Sequence, residues 1–242
     1  MNLTQASLAP HCLINSLTSS TNPQVLCSLY ILEGQYLIRY WENDQIITKF
    51  ISSEALRNAF SSLPVDSGFL PNGIVRIGSH KKGTWIVKFI PPSSNNQITI
   101  ESSPHNQILS IPLPGLVLMG VDCQYYLWAI KSKQFDPNAL VYNAPFPNIN
   151  PSTGLICFGS NPVPTAVAIA IETVWNLFLN SPFNGDSVSR KSRTYPQDIR
   201  QQLVAITGKK HYPLRELVAI SYPGSSNRKI TIAEVIEYLI KP

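Results

Sequence analysis

The chain has 242 residues, 44% hydrophobic and 14% charged. That is enough apolar material for a buried core, and it excludes the charge-rich, apolar-poor composition of a disordered protein. A net charge of +5 permits an acidic protein partner or nucleic acid without choosing between them. No basic stretch leads an apolar run in Met1 to Thr21, and no segment reaches the apolar length of a membrane span, so the expectation is a soluble, cytoplasmic protein without a membrane partner.

Twenty prolines against 12 glycines predict short strands, many loops and few long helices. Val25 to Leu32, Gln35 to Trp41 and Gln45 to Ile51 read as a three-strand meander with turns at Glu33-Gly34 and Asn43-Asp44. Ser52 and Ser53 cap a helical pattern that Leu63-Pro64 stops. A cluster of turn formers from Val65 to Gly73 marks a junction.

Beyond it, strands are predicted at Gly73 to Ser79, Thr84 to Ile90, Gln97 to Glu101, Leu116 to Met119 and Tyr125 to Ile130, with Pro91-Pro92-Ser93-Ser94-Asn95-Asn96 as a turn. Asp136 to Pro164 is too rich in Pro, Asn and Gly to be regular, and Leu155, Ile156 and Phe158 would pin it to a core. The apolar spacing then predicts a mostly buried helix over 164–179, a helix over 196–206 and a last one over 231–239.

Four widely spaced cysteines, Cys12, Cys27, Cys123 and Cys157, form no Cys-x-x-Cys pair, so no zinc site and no cofactor is expected and the thiols read as free. Cys27 and Cys123 lie in or beside strands and read as core. Cys157, in the irregular stretch ahead of the buried helix, is open to either a packing or a nucleophilic role. Three basic groups, Arg190-Lys191-Ser192-Arg193, Lys209-Lys210-His211 and Arg228-Lys229, read as solvated loops, with a DNA-associated complex as the partner their charge would admit.

The run Phe146-Pro147-Asn148-Ile149-Asn150-Pro151-Ser152-Thr153-Gly154-Leu155-Ile156-Cys157 closely resembles the active-site signature of the ubiquitin-conjugating enzymes, a His-Pro-Asn triplet, an Asn-rich turn and Gly-x-Ile-Cys. Strands precede it, a hydrophobic helix follows, and Ser181-Pro182-Phe183-Asn184-Gly185-Asp186 is similar to that family's loop after its central helix. Within the superfamily the pattern resembles the bacterial branch called PRTRC system protein B, or prokaryotic family D, and Cys157-Phe158-Gly159-Ser160-Asn161 approximates its cysteine turn. Two departures stand out: Phe146 occupies the histidine position, and the spacing from Asn148 to Cys157 is one residue longer than in the eukaryotic enzymes.

The resemblance implies an α+β fold: a ubiquitin-conjugating-like domain at 71–190 with an antiparallel meander, an active-site loop and a central helix. A small sheet-and-helix region at 1–70 precedes it and a helical extension at 191–242 follows it. It implies a cysteine transferase in which Cys157 carries a ubiquitin-like protein as a thioester, Asn148 stabilises the oxyanion and Asp186 orients or deprotonates the incoming amine. The implied partners are a ThiF-type activating enzyme and the ubiquitin-like protein. Phe146 admits an alternative, an inactive binding module that keeps the fold within a mobile-element system.

Overall fold

The computed structural model describes residues 27–61, 69–80, 83–221 and 228–241. Cys12, Val25, Leu26, the helix stop at Leu63-Pro64 and the turn formers from Val65 to Gly68 lie outside these residues. The chain divides into two compact units, 1–68 and 69–242.

In the first unit β1 (Cys27–Leu32), β2 (Gln35–Glu42) and β3 (Gln45–Ile51) form an antiparallel meander, followed by α1 (Ser53–Ser61). Asn43 and Asp44 both adopt positive φ, 47° and 59°, the mirror-image turn that a two-residue hairpin between twisted strands requires. The Ser52 hydroxyl accepts from the Ala55 amide and starts the helix. Cys27, expected in the core, is exposed, because the strand that carries it has no fully buried position.

The second unit is built on a five-stranded antiparallel sheet in the order β10-β9-β8-β5-β4, from β4 (Ile74–His80), β5 (Gly83–Ile90), β8 (Gly115–Val121), β9 (Gln124–Ile130) and the short β10 (Tyr142–Asn143). A separate hairpin, β6 (Ser93–Ile100) with β7 (Gln107–Leu113), is inserted between β5 and β8.

Two sequence expectations are corrected here. The stretch read as a Pro-Pro-Ser-Ser-Asn-Asn turn is strand from Ser93 onward, with a bulge between Ser93 and Asn96 where the Asn96 amide donates to the Ser93 hydroxyl and the Ile111 carbonyl. Its partner β7 had no strand signal, because Pro112 inside it and Pro114 after it demote an alternating pattern.

Period-two alternation puts the sheet between two cores. On one face Ile86, Leu116, Leu118 and Leu127 meet the inner residues of β6 and β7, α2 (Ile171–Asn180) and α3 (Ile199–Ala205). On the other Val87, Val117, Met119 and Trp128 meet α4 (Ile232–Ile240). Residues 191–242, expected as an extension, therefore supply both cores, through Ile199 and Leu203 on one side and Ile232 and Ile236 on the other.

The helix expected over 164–179 begins only at Ile171. Pro164 and Thr165 do not start it, since Ala166 is tied instead to the β8–β9 turn by its amide bond to the Asp122 carbonyl, and Val167 and Ile169 face solvent. α2 still buries Ile171, Val174, Trp175 and Phe178. α4 begins at a reciprocal cap, in which the Thr231 hydroxyl accepts from the Glu234 amide and the Glu234 carboxylate accepts from the Thr231 amide. Among the described residues no helix is long and apolar enough to cross a membrane.

Candidate functional site

The irregular stretch after β10 folds into a tight turn laid along the part of the β9 edge that the short β10 leaves open. Two backbone bonds fasten its second limb there, Leu127 N–H to the Gly154 carbonyl and Ile156 N–H to the Tyr125 carbonyl, and together they make an antiparallel bridge between Tyr126 and Leu155. Its two limbs pair with each other through Ile149 and Ile156, both buried. At the tip the Asn150 side chain accepts from the amides of Ser152 and Thr153, closing the turn locally. Gly154 sits at φ 81°, and a Cβ added there would come within 2.2 Å of the Trp128 indole nitrogen. That nitrogen donates to the Thr153 carbonyl, so glycine is what lets the turn rest against Trp128.

Buried Ile156 and the backbone bonds fix the end of this turn, and the next residue, Cys157, is exposed. Its amide donates to the Asn148 carbonyl at 2.8 Å, so the cysteine and the asparagine are joined through the main chain. Asn148 holds φ 58°, a left-handed conformation that asparagine tolerates better than most side chains. Its own amide donates to the Asp186 carbonyl at 2.9 Å. Asp186 is exposed on the loop after α2, and that loop is ordered locally by the Asn184 side chain, which accepts from the Asp186 amide.

All three residues predicted from the sequence thus come together. Cys157, Asn148 and Asp186 line one cleft of about 380 Å³, with Phe158, Asn184 and Glu101 among the other lining residues. The Asn148 side-chain oxygen is buried without a hydrogen-bond partner. An unpaired buried acceptor costs about 1–3 kcal/mol, so this oxygen adds nothing to stability as it stands. Among the described residues, no three His, Cys, Asp or Glu side chains are grouped to hold a metal ion.

Two residues beside the turn and its cleft escaped the sequence reading. Glu101 reaches the cleft from the end of β6, because its amide donates to the Phe183 carbonyl and binds the inserted hairpin to the loop after α2. Nothing in the local sequence of Glu101 could reveal a partner 82 residues away. Lys191, read as part of a solvated basic loop, is fully buried, and its Nζ donates to the carbonyls of Phe146, at 2.6 Å, and Ile149, at 2.5 Å. Burial lowers its pKa from 10.5 to about 7. The basic run from Arg190 to Arg193 is therefore no uniform solvated patch.

Phe146, at the position of the expected histidine, is also fully buried, stacked on Phe183 and edge-on to Phe178. It anchors the start of the turn by aromatic packing, a role a sequence reading cannot assign because its partners, Phe178 in α2 and Phe183 just after it, lie 32 and 37 residues away. Cys123, expected in the core, is exposed at the β8–β9 turn, where Asp122 takes φ 52° and turns the chain out of the sheet.

No curated protein and no solved structure matches the chain. A family model does, over residues 48–220, beginning inside β3 and running past the end of the 3-10 turn at Leu214–Glu216. That span takes in the second half of β3 and all of α1 in the first unit and α3 in the second, beyond the 71–190 expected of the conjugating-like domain. Because it covers well over half of the residues and contains the whole cleft, this chain belongs to prokaryotic E2 family D, a ubiquitin-conjugating-like family.

Proposed function

We propose that the chain carries a ubiquitin-like protein as a thioester on Cys157 and passes it to an amine. The observation that supports this reading is the setting of the sulfur: an exposed thiol on a rigidly pinned turn, opening on a polar cleft that also holds Asn148 and Asp186. In the first step the Cys157 thiolate attacks the thioester carbonyl on an activating enzyme, whose own thiolate leaves. In the second an amine attacks the Cys157 thioester, the oxyanion collapses, Cys157 leaves as thiolate, and the amine's proton passes to a base.

Asn148 donates its amide to that oxyanion, and the exposed Asp186 carboxylate orients the incoming amine and takes its proton. Glu101 adds a second carboxylate to the same cleft, which favours a cationic amine such as lysine over a neutral nucleophile.

The partners on this reading are a ThiF-type activating enzyme and a ubiquitin-like protein, working in the cytoplasm. The Pro147-Asn148 turn and the Cys157-Phe158-Gly159-Ser160-Asn161 segment support a place in the PRTRC protein B branch, and so in a mobile-element system. Incubation with the activating enzyme, the ubiquitin-like protein and ATP should give an adduct that a thiol reductant removes and that Cys157→Ala never forms. Stable, non-covalent binding of the ubiquitin-like protein with no such adduct would instead support the inactive binding module.

A further inference from the structure

Lys191 is a buried base that the transfer chemistry does not use. Its side chain is 0% exposed, and among the described residues its Nζ makes two hydrogen bonds, both to main-chain carbonyls. The charged groups around it lie elsewhere: Asp186 on the loop before it, Arg190 and Arg193 on its own segment, and Glu216, which accepts from Ser192 and Thr194. None forms a hydrogen bond or ion pair with the Lys191 nitrogen.

A neutral amine has two N–H groups, and here there are two acceptors. An ammonium would carry a third donor and a charge into a site that has no carboxylate for it. The two carbonyls belong to Phe146 and Ile149, which bracket Pro147 and Asn148. Asn148 is therefore held from four directions, since its amide is taken by Asp186 and its carbonyl by the Cys157 amide.

We propose that Lys191 is the positioning residue of this cleft: as a buried neutral amine it fixes the left-handed Asn148 turn, and through that turn keeps the asparagine amide and the Cys157 thiol on one cleft. The role rests on the thioester reading for its chemical consequence, but the clamp itself is a property of the fold and is measured separately. Protonating Lys191 favours any opening that brings it to water, so the turn loosens as pH falls from the ordinary lysine value toward about 7.

The test is hydrogen exchange at the amides of positions 148 and 157 in the full chain, in a Cys157→Ser background so that the thiol's own titration plays no part. Exchange is catalysed by hydroxide, so an amide whose opening ignores pH exchanges about tenfold faster per pH unit. Opening that exposes Lys191 takes up a proton, and becomes about tenfold rarer per unit rise across the same window. The two slopes cancel.

Between about pH 7.5 and 9.5 the amides of positions 148 and 157 should therefore exchange at a nearly constant rate, while amides of β2 in the first unit accelerate about tenfold per unit. Lys191→Met should speed exchange at both positions and restore the tenfold slope. The proposal is overturned if the two amides follow the β2 slope while lysine is present. That comparison stands even if Lys191→Met fails to fold.

With Cys157 restored and loaded, Lys191→Met should slow discharge to free lysine by up to about 10²-fold while loading still proceeds, since a small misplacement of a reacting group costs that much. Unchanged discharge would overturn the positioning role. If no variant loads at all, the thioester reading falls, and the exchange slopes still decide whether Lys191 clamps the turn.

Discussion

The second unit carries two exposed thiols, Cys123 at the β8–β9 turn and Cys157 at the end of the pinned turn, and they make an instructive pair. Both sit beside β9, and both are open to solvent. Cys123 stands at a hairpin tip, where its sulfur lies 3.8 Å from the Thr165 hydroxyl. Cys157 follows a residue buried in the core, shares a backbone bond with Asn148, and faces a cleft walled by the β6–β7 hairpin and the loop after α2. Exposure makes a thiol reachable. What makes it a candidate nucleophile is the convergence of an amide and carboxylates from distant segments on a backbone that cannot drift.

The sharpest way to break that comparison is to exchange the roles of the two cysteines. Cys157→Ala should abolish the reductant-sensitive adduct altogether and Cys123→Ala should leave it intact, read on a non-reducing gel. The opposite pattern would move the site to the hairpin tip. Next in size is Asn148→Ala. Losing an oxyanion donor costs about 10²–10³ in rate, so discharge to free lysine should fall by that factor while loading persists. The melting temperature should change little, because the unpaired buried oxygen leaves with the side chain while alanine gains left-handed strain, two effects of opposite sign.

Gly154→Ala tests the pinning rather than the chemistry. A methyl group directed into the Trp128 ring at positive φ should destabilise the protein by about 3 kcal/mol, seen as a lower denaturant midpoint. An equally stable variant would mean that the turn does not rest on Trp128 as described. The smallest effect concerns α3, whose cap Asp198 accepts from the Arg200 amide and pairs with the Arg200 guanidinium. Asp198→Ala should cost about 1 kcal/mol. Hydrogen bonding to Arg200 lowers the Asp198 pKa, so this stabilisation is full above the ordinary aspartate value and is lost as pH falls through the lowered one. Denaturation curves at neutral and acidic pH should show the variant's deficit shrinking in acid, whereas the cleft and its thiol should be unaffected.

Much of the site was legible because its signals are local. Gly154, Cys157, Pro147 and Asn148 lie within a dozen residues, and their order is tied to one backbone shape: a left-handed asparagine, a glycine under a tryptophan, and a cysteine one step beyond a buried isoleucine. The meander of β1 to β3, the strands β4, β5, β8 and β9 and the apolar face of α2 were also legible, since periods of two and 3.6 survive in a single sequence. β7 was not, because Pro112 breaks its pattern locally while the pairing with β6 accepts it. The first turns expected of α2 were not, because Ala166 is drawn to the β8–β9 turn instead.

The sequence by itself indicated the nucleophile candidate and the amide beside it, through a short motif that resembles a known signature, and the mixed α+β architecture, through repeating patterns, because each depends on residues close along the chain. Only the tertiary structure decided that Glu101 belongs to the cleft, that aromatic packing around Phe146 stands where a histidine was expected, and that Lys191 is buried under the turn. The reason is physical. A side chain's environment is set by what packs on it, and for these three the partners lie 32 to 82 residues away along the chain.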